Sequence, residues 1–188
     1  MIERILLIVV MLFPVSEIAL SLIKRSRGRA AKSEDRGSMR LLWLSICLGV
    51  VLATAAEWVP GTQFPVPLPT IRVAALALLV GGLVVRWTAI LTLGRLFTVD
   101  VAIHSDHDVV EHGLYRYMRH PSYTGLLIAF VGLGLFFADW LSIVVLLVPI
   151  ILGVLNRVVK EERALLESLG PAYAAYCART RRFVPGLL

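Results

Sequence analysis

Apolar positions in this chain come in long runs rather than in alternation. Near residues 5–23, 41–59 and 73–93 the sequence is almost continuously apolar, and each run is close to the roughly 20 residues an α-helix needs to cross bilayer hydrocarbon. From Pro121 to Asn156 the apolar character continues, broken by Asp139 and a few hydroxyl side chains. That length fits two shorter spans, 121–138 and 140–156, turning at Ala138-Asp139-Trp140. The pattern predicts an all-α integral membrane protein with five transmembrane helices, forming one membrane domain over 1–188. Pro149 falls inside the last span, where loss of a backbone hydrogen bond predicts a kink. Helical character persists beyond Asn156 until Gly170-Pro171, a stop signal. The first run is read as an uncleaved anchor, because its basic cluster follows the apolar stretch and Pro14 and Glu17 interrupt it.

Composition sharpens this picture. Hydrophobic residues make up 58% and charged residues 17% of the 188, with a mean hydropathy of +0.81, which excludes a disordered chain and an ordinary soluble globule. The net charge is +6, and its distribution carries the information. Lys24, Arg25, Arg27, Arg29, Lys32, Arg36 and Arg40 separate the first two runs, whereas the loop from Trp58 to Thr70 has no Lys or Arg. The positive-inside rule then places the first loop, the segment 94–120 and the tail 157–188 on the cytoplasmic side. Only Arg4 and Arg72 fall on the opposite face, with Arg86 inside a span. The basic lean suits anionic lipid or an anionic cofactor, and no nucleic-acid partner is expected. Cys47 and Cys177 have neither metal-type nor framework spacing. No internal repeat suggests a transporter built of duplicated halves.

Chemistry should therefore lie at the cytoplasmic end. The segment 94–120 holds all four histidines, His104, His107, His112 and His120, together with three aspartates, Glu111, two tyrosines and three arginines. A solvated interfacial loop is the plain reading of any one of them. A metal site is disfavoured, because no cysteine completes a zinc set around His104 and His107. Arg119-His120-Pro121-Ser122-Tyr123 stands where this segment enters the fourth span, with proline at a first-turn position. The free N–H groups and positive dipole end of that helix suit an anionic group. Past the fifth span, Arg157 and Glu161 are four apart and share a helix face. Arg179, Arg181 and Arg182 are expected to anchor the tail at lipid headgroups. Glu17 and Arg86 are intramembrane ionisable residues, functional candidates by default, although Arg86 has the length to snorkel; both are left outside the site. A tight hairpin would return the chain to the face it left, so Arg119-His120-Pro121 and Glu161-Glu162 are expected to be neighbours.

Taken in order, His107-Asp108-Val109-Val110, Gly113-Leu114-Tyr115, Arg119-His120-Pro121-Ser122-Tyr123 with Gly125, and Glu161-Glu162 followed by Gly170, Tyr173 and Tyr176 resemble the isoprenylcysteine carboxyl methyltransferase family. The resemblance covers the chain from Gly94 onward. It departs at Asp100, where eukaryotic relatives carry glutamine. The resemblance implies an integral membrane, S-adenosylmethionine-dependent O-methyltransferase whose cytoplasmic-side cofactor pocket is formed by the 94–120 segment and the C-terminal helix. Carried over by position, His107, Asp108, Val109, Val110, Tyr115, His120, Pro121, Ser122, Tyr123 and Glu161 are cofactor contacts. Arg157 is the substrate-carboxylate contact, and Arg157 and Glu161 form the catalytic pair. The implied acceptor is a lipophilic carboxylate entering from the bilayer.

A carboxylate acceptor is already ionised near neutral pH, with an ordinary pKa of about 3.3 to 3.7, so its methylation needs placement rather than a base. A phospholipid or other amine methyltransferase, which would need a base, is the alternative. A non-catalytic membrane scaffold or transporter is the more distant one.

Overall fold

In the computed structural model the described residues are 2–23, 33–97 and 109–183. They form six α-helices: α1 Ile2–Ile23, α2 Ser33–Ala56, α3 Leu68–Leu93, α4 Pro121–Phe136, α5 Trp140–Leu169 and α6 Pro171–Arg179. Two short 3-10 turns, Gly94–Leu96 and Gly113–Arg116, follow α3 and precede α4. Among the described residues, three helical stretches are long and apolar enough to cross a membrane: Gly37–Ala56, Leu68–Leu93 and Trp140–Leu169. The apolar helix α4 is shorter, and α1 carries Glu3, Arg4 and Glu17 within its apolar sequence. The outward faces are themselves apolar. Ile8, Met11, Leu12 and Val15 on α1, and Leu44, Leu48 and Val51 on α2, are exposed, as expected where the surrounding solvent is lipid rather than water.

The hairpin between α4 and α5 lies at the expected place, with Asp139 as its hinge. The Asp139 side chain accepts from the Ser142 N–H at 2.7 Å, filling the orphan-donor position at the start of α5. The tip is tied to the loop after α2, where Phe64 N–H donates to Ala138 O at 3.1 Å and Trp140 N–H to Thr62 O at 3.0 Å. These two loops therefore share one end of the bundle. Pro149 lies within α5, which runs past the apolar span to Leu169 and stops where Gly170 adopts φ 54°, a left-handed conformation that glycine takes without penalty.

Packing pairs α3 with α4 and α2 with α5 most extensively. The reason is the placement of small residues. A Cβ on Gly82 would come within 2.4 Å of Ala129 N, one on Gly125 within 2.5 Å of Arg86 N, and one on Gly132 within 2.5 Å of Leu79 N. The backbones of α3 and α4 thus touch, the small-residue contact by which helices associate in lipid, where apolar burial offers no drive. This contact also sets Arg86 against the first turns of α4.

Candidate functional site

The end of the bundle opposite the hairpin is assembled by the chain between α3 and α4, the distal half of α5, and α6. Its organiser is Glu162. Oε1 accepts from Arg119 Nε at 2.9 Å and lies 3.3 Å from His120 Nε2, while Oε2 accepts from Arg182 Nε at 3.0 Å. Arg119 also donates to the carbonyls of Cys177, at 3.1 Å, and Thr180. Backbone bonds run beside these contacts: Arg119 N–H to Arg181 O at 2.7 Å and His120 N–H to Arg182 O at 2.9 Å. Tyr176 closes the arrangement by donating to Tyr115 O at 2.6 Å. The tail is in this way stitched to the Arg-His-Pro stretch. Arg182 pairs with Glu162 and Arg179 with Glu111.

A second chain of bonds runs from Arg157 to Glu161, the residue before Glu162 on α5. Arg157 Nε donates to the Tyr123 hydroxyl at 2.9 Å, and that hydroxyl donates to Glu161 Oε2 at 3.0 Å. Arg157 Nη1 donates to Ser38 Oγ on α2 at 2.8 Å. Arg157 is only 2% exposed, so this is a desolvated constellation rather than the surface pairing that i, i+4 spacing by itself would give. In such surroundings charge-assisted hydrogen bonds are worth more than in water.

Both networks border one cavity of about 560 Å³. Val109, Val110, Tyr115, His120, Ser122, Tyr123, Arg157 and Glu161 all line it, as do Arg119, Tyr173 and Tyr176. Beyond this polar end the lining turns apolar, passing Leu42, Ile46, Val50, Leu126, Phe130 and Leu133 to Phe136 and Phe137. From Tyr123 to Phe137 the helical rise corresponds to about 21 Å. Pro121 is fully buried at the start of α4 and does not line the cavity. His107 and Asp108, and with them His104, lie outside the described residues. The described residues hold no cluster of three or more metal-type ligands.

Burial is the chief force on the ionisable groups here. It pushes the Tyr115 and Tyr173 phenols well above their usual range, helped by the charge of Glu161. Burial likewise moves Tyr176 up to about 12 and raises the Cys177 thiol. All three phenols are neutral hydrogen-bond donors at physiological pH, and Cys177 is a thiol rather than a thiolate nucleophile.

Some roles were not legible in the sequence. Glu161 and Glu162 were both expected beside the Arg-His-Pro stretch, and only the helix rotation shows that Glu162, not Glu161, meets His120. Ser38 has no motif signal. Glu17 and Arg86, expected to lie apart from the site, form its wall: Arg86 Nε and Nη2 each donate to Glu17 at 2.5 Å, and Arg86 Nη1 donates to Ser122 Oγ at 3.0 Å. The signal was their charge within apolar helices.

Comparison with known proteins places this arrangement in context. Residues 75–167 match the family described as Isoprenylcysteine carboxyl methyltransferase (ICMT). Protein-S-isoprenylcysteine O-methyltransferase B of Arabidopsis thaliana is 35% identical over 112 residues, covering 58% of this chain and 57% of that protein. Protein-S-isoprenylcysteine O-methyltransferase of Tribolium castaneum is 34% identical over 106 residues, covering 55% of this chain and 38% of the relative. This chain thus matches little more than half the length of the plant relative. Among solved structures, the eukaryotic intramembrane Ras methyltransferase ICMT superposes with a TM-score of 0.61 at 25% identity, over 77% of this chain and 52% of that one.

Proposed function

We propose, from the premise that residues 75–167 of this chain belong to the isoprenylcysteine carboxyl methyltransferase family, that it transfers a methyl group to the carboxylate of a lipophilic, isoprenylcysteine-type acceptor. The observation that carries this reading is the cavity itself, in which a buried arginine, Arg157, meets a phenol and a carboxylate at one end of a long apolar channel. An amphiphile with a charged head and a hydrocarbon tail matches that division. In this reading the chain is one membrane domain of five spans, with α1 and α4 completing the three longer helices. The basic residues flanking the polar end support a cytoplasmic placement for it.

Arg157 holds the acceptor carboxylate through one oxygen, leaving the other free to attack. A fully bidentate clamp would drain charge from the nucleophile. S-Adenosylmethionine, when bound, supplies a sulfonium-activated methyl group. The residues fit such a molecule by their donor chemistry: Glu161 offers a carboxylate to a cationic end, and Tyr115, Tyr123 and Tyr173 offer aromatic faces that attract cations. His107, Asp108, Val109, Val110, His120 and Ser122 are assigned to the same binding task on the family pattern, whereas Pro121, buried away from the cavity, opens α4 rather than touching the cofactor.

Tyr123 keeps Arg157 and Glu161 in a fixed mutual position, and the apolar walls exclude water from the carboxylate. Placement of this kind can account for roughly 7 to 11 kcal/mol of barrier. No residue has to remove a proton, because the acceptor arrives ionised.

The test is methyl transfer by the purified full chain in lipid nanodiscs, with labelled S-adenosylmethionine and either a prenylated cysteine or a phospholipid amine. A base-labile methyl ester on the cysteine compound is expected, and should vanish in Arg157→Ala and Glu161→Ala proteins that still fold. A stable methylamine would make the acceptor an amine instead. Near-wild-type ester formation by either variant would reject the residue roles. Absence of both transfer and S-adenosylhomocysteine binding would reject the enzyme reading.

A further inference from the structure

The ion pair between α1 and α3 is difficult to account for by stability alone. Glu17 and Arg86 side chains are 13% and 9% exposed, deep in apolar helices, and burying such a pair usually gains little over apolar residues of similar size. Arg86 is also not a vacant anion receptor. Its Nε and Nη2 are taken by Glu17, and its Nη1 donates to both Ser122 Oγ and Ser122 O, at 3.0 and 3.2 Å. The guanidinium therefore spans three helices: it grips α1 with one edge and the first turn of α4 with the other. The next residue on α4 is Tyr123, the hydroxyl that joins Arg157 to Glu161.

The position of α1 gives the clasp a consequence. α1 and α2 both line the cavity, through Met11, Pro14 and Glu17 and through Trp43, Ile46 and Val50, yet they barely touch each other. α2 is held by its broad contact with α5, whereas α1 rests on α3. Pro14 lies about one turn before Glu17 and removes a backbone bond there, so α1 is braced less by its own backbone just before the clasp.

We infer that Glu17 and Arg86 are positioning residues: their pairing sets α1 over the channel, so that capture of the acceptor's hydrocarbon depends on Glu17, which among the described residues touches none of those assigned to the cofactor, while Arg86 also steadies the start of α4 through Ser122. The acceptor part rests on the proposed function; the placement of α1 does not.

The two are separable by experiment. In full-length protein lacking Cys47 and Cys177, spin labels at Leu12 and Leu48, both exposed on the outer faces of α1 and α2, report the seam between those helices in nanodiscs. Glu17→Gln should broaden that distance distribution. It should also raise KM for a prenylated cysteine acceptor at least fivefold, while leaving the S-adenosylhomocysteine Kd within twofold. Arg86→Lys, which keeps the charge but cannot bridge Glu17 and Ser122 together, should broaden the distances in the same way and serves for that measurement if the first variant does not fold. Unchanged distances in the folded variants would overturn the inference. So would an S-adenosylhomocysteine affinity that falls in step with acceptor affinity in Glu17→Gln, which marks general disruption. Broadened distances in a protein whose wild type transfers no methyl group would uphold the clasp and remove the acceptor reading.

Discussion

The Tyr123 hydroxyl stands between Arg157 and Glu161, 2.9 Å from the guanidinium Nε and 3.0 Å from Glu161 Oε2. As one atom that both accepts and donates, it converts an i, i+4 pair on α5 into a three-point constellation anchored from α4. Hydrogen bonds to charged groups are worth about 1.5 to 3 kcal/mol. Tyr123→Phe, which preserves the ring, is therefore expected to lower kcat by roughly 10- to 100-fold. Steady-state methylation kinetics alongside a thermal unfolding scan checks this, since the melting temperature should move much less than the rate.

Glu162 should behave differently from its neighbour. Its carboxylate receives Arg119 and Arg182 and lies against His120. Removing it leaves buried positive charge uncompensated, at a cost of about 3 to 5 kcal/mol. Glu162→Ala is expected to loosen the tail and make the bond after Arg181 or Arg182 sensitive to limited trypsin digestion. Glu161→Ala should leave that digestion pattern unchanged.

The contact between α3 and α4 predicts a sharp contrast between adjacent positions. Gly82→Ala would put a methyl group against the α4 backbone, whereas Gly81 has nothing within 4 Å of an added Cβ. Gly82→Ala should destabilise by about 1 to 3 kcal/mol through overpacking. Gly81→Ala should be neutral or stabilising by up to about 1 kcal/mol through helix propensity. Thermal unfolding in one detergent at one protein concentration compares the two.

Alkaline pH provides a readout of the folded tail. Burial raises the Tyr176 phenol from its ordinary value of 10.0 to about 12, so the folded protein retains a proton that the unfolded chain gives up near pH 10. Stability from this group is complete below pH 10 and declines by about 1.4 kcal/mol per pH unit as pH rises toward 12. Tyr176→Phe should flatten that part of the unfolding curve measured against pH.

What the linear chain determined is the set of helices and the end of the bundle that gathers the candidate site. Long apolar runs have few ways to satisfy their backbone in lipid other than as helices, and Asp139 and Gly170 mark the hairpin and the end of α5 because their local roles, cap and left-handed stop, depend on near neighbours alone. The Arg-His-Pro and Glu-Glu stretches likewise named the candidate region. Tertiary packing decided which side chains meet. The rotation of α5 sends Glu162 to Arg119 and His120 and leaves Glu161 to Tyr123, a division that two adjacent identical residues cannot display in sequence. The touching backbones of α3 and α4 carry Arg86 to Ser122, and α1 brings Glu17 across 69 residues of chain. Hydrogen bonds and ion pairs act over a few ångströms, so partners distant along the chain are specified only once the helices have taken their places.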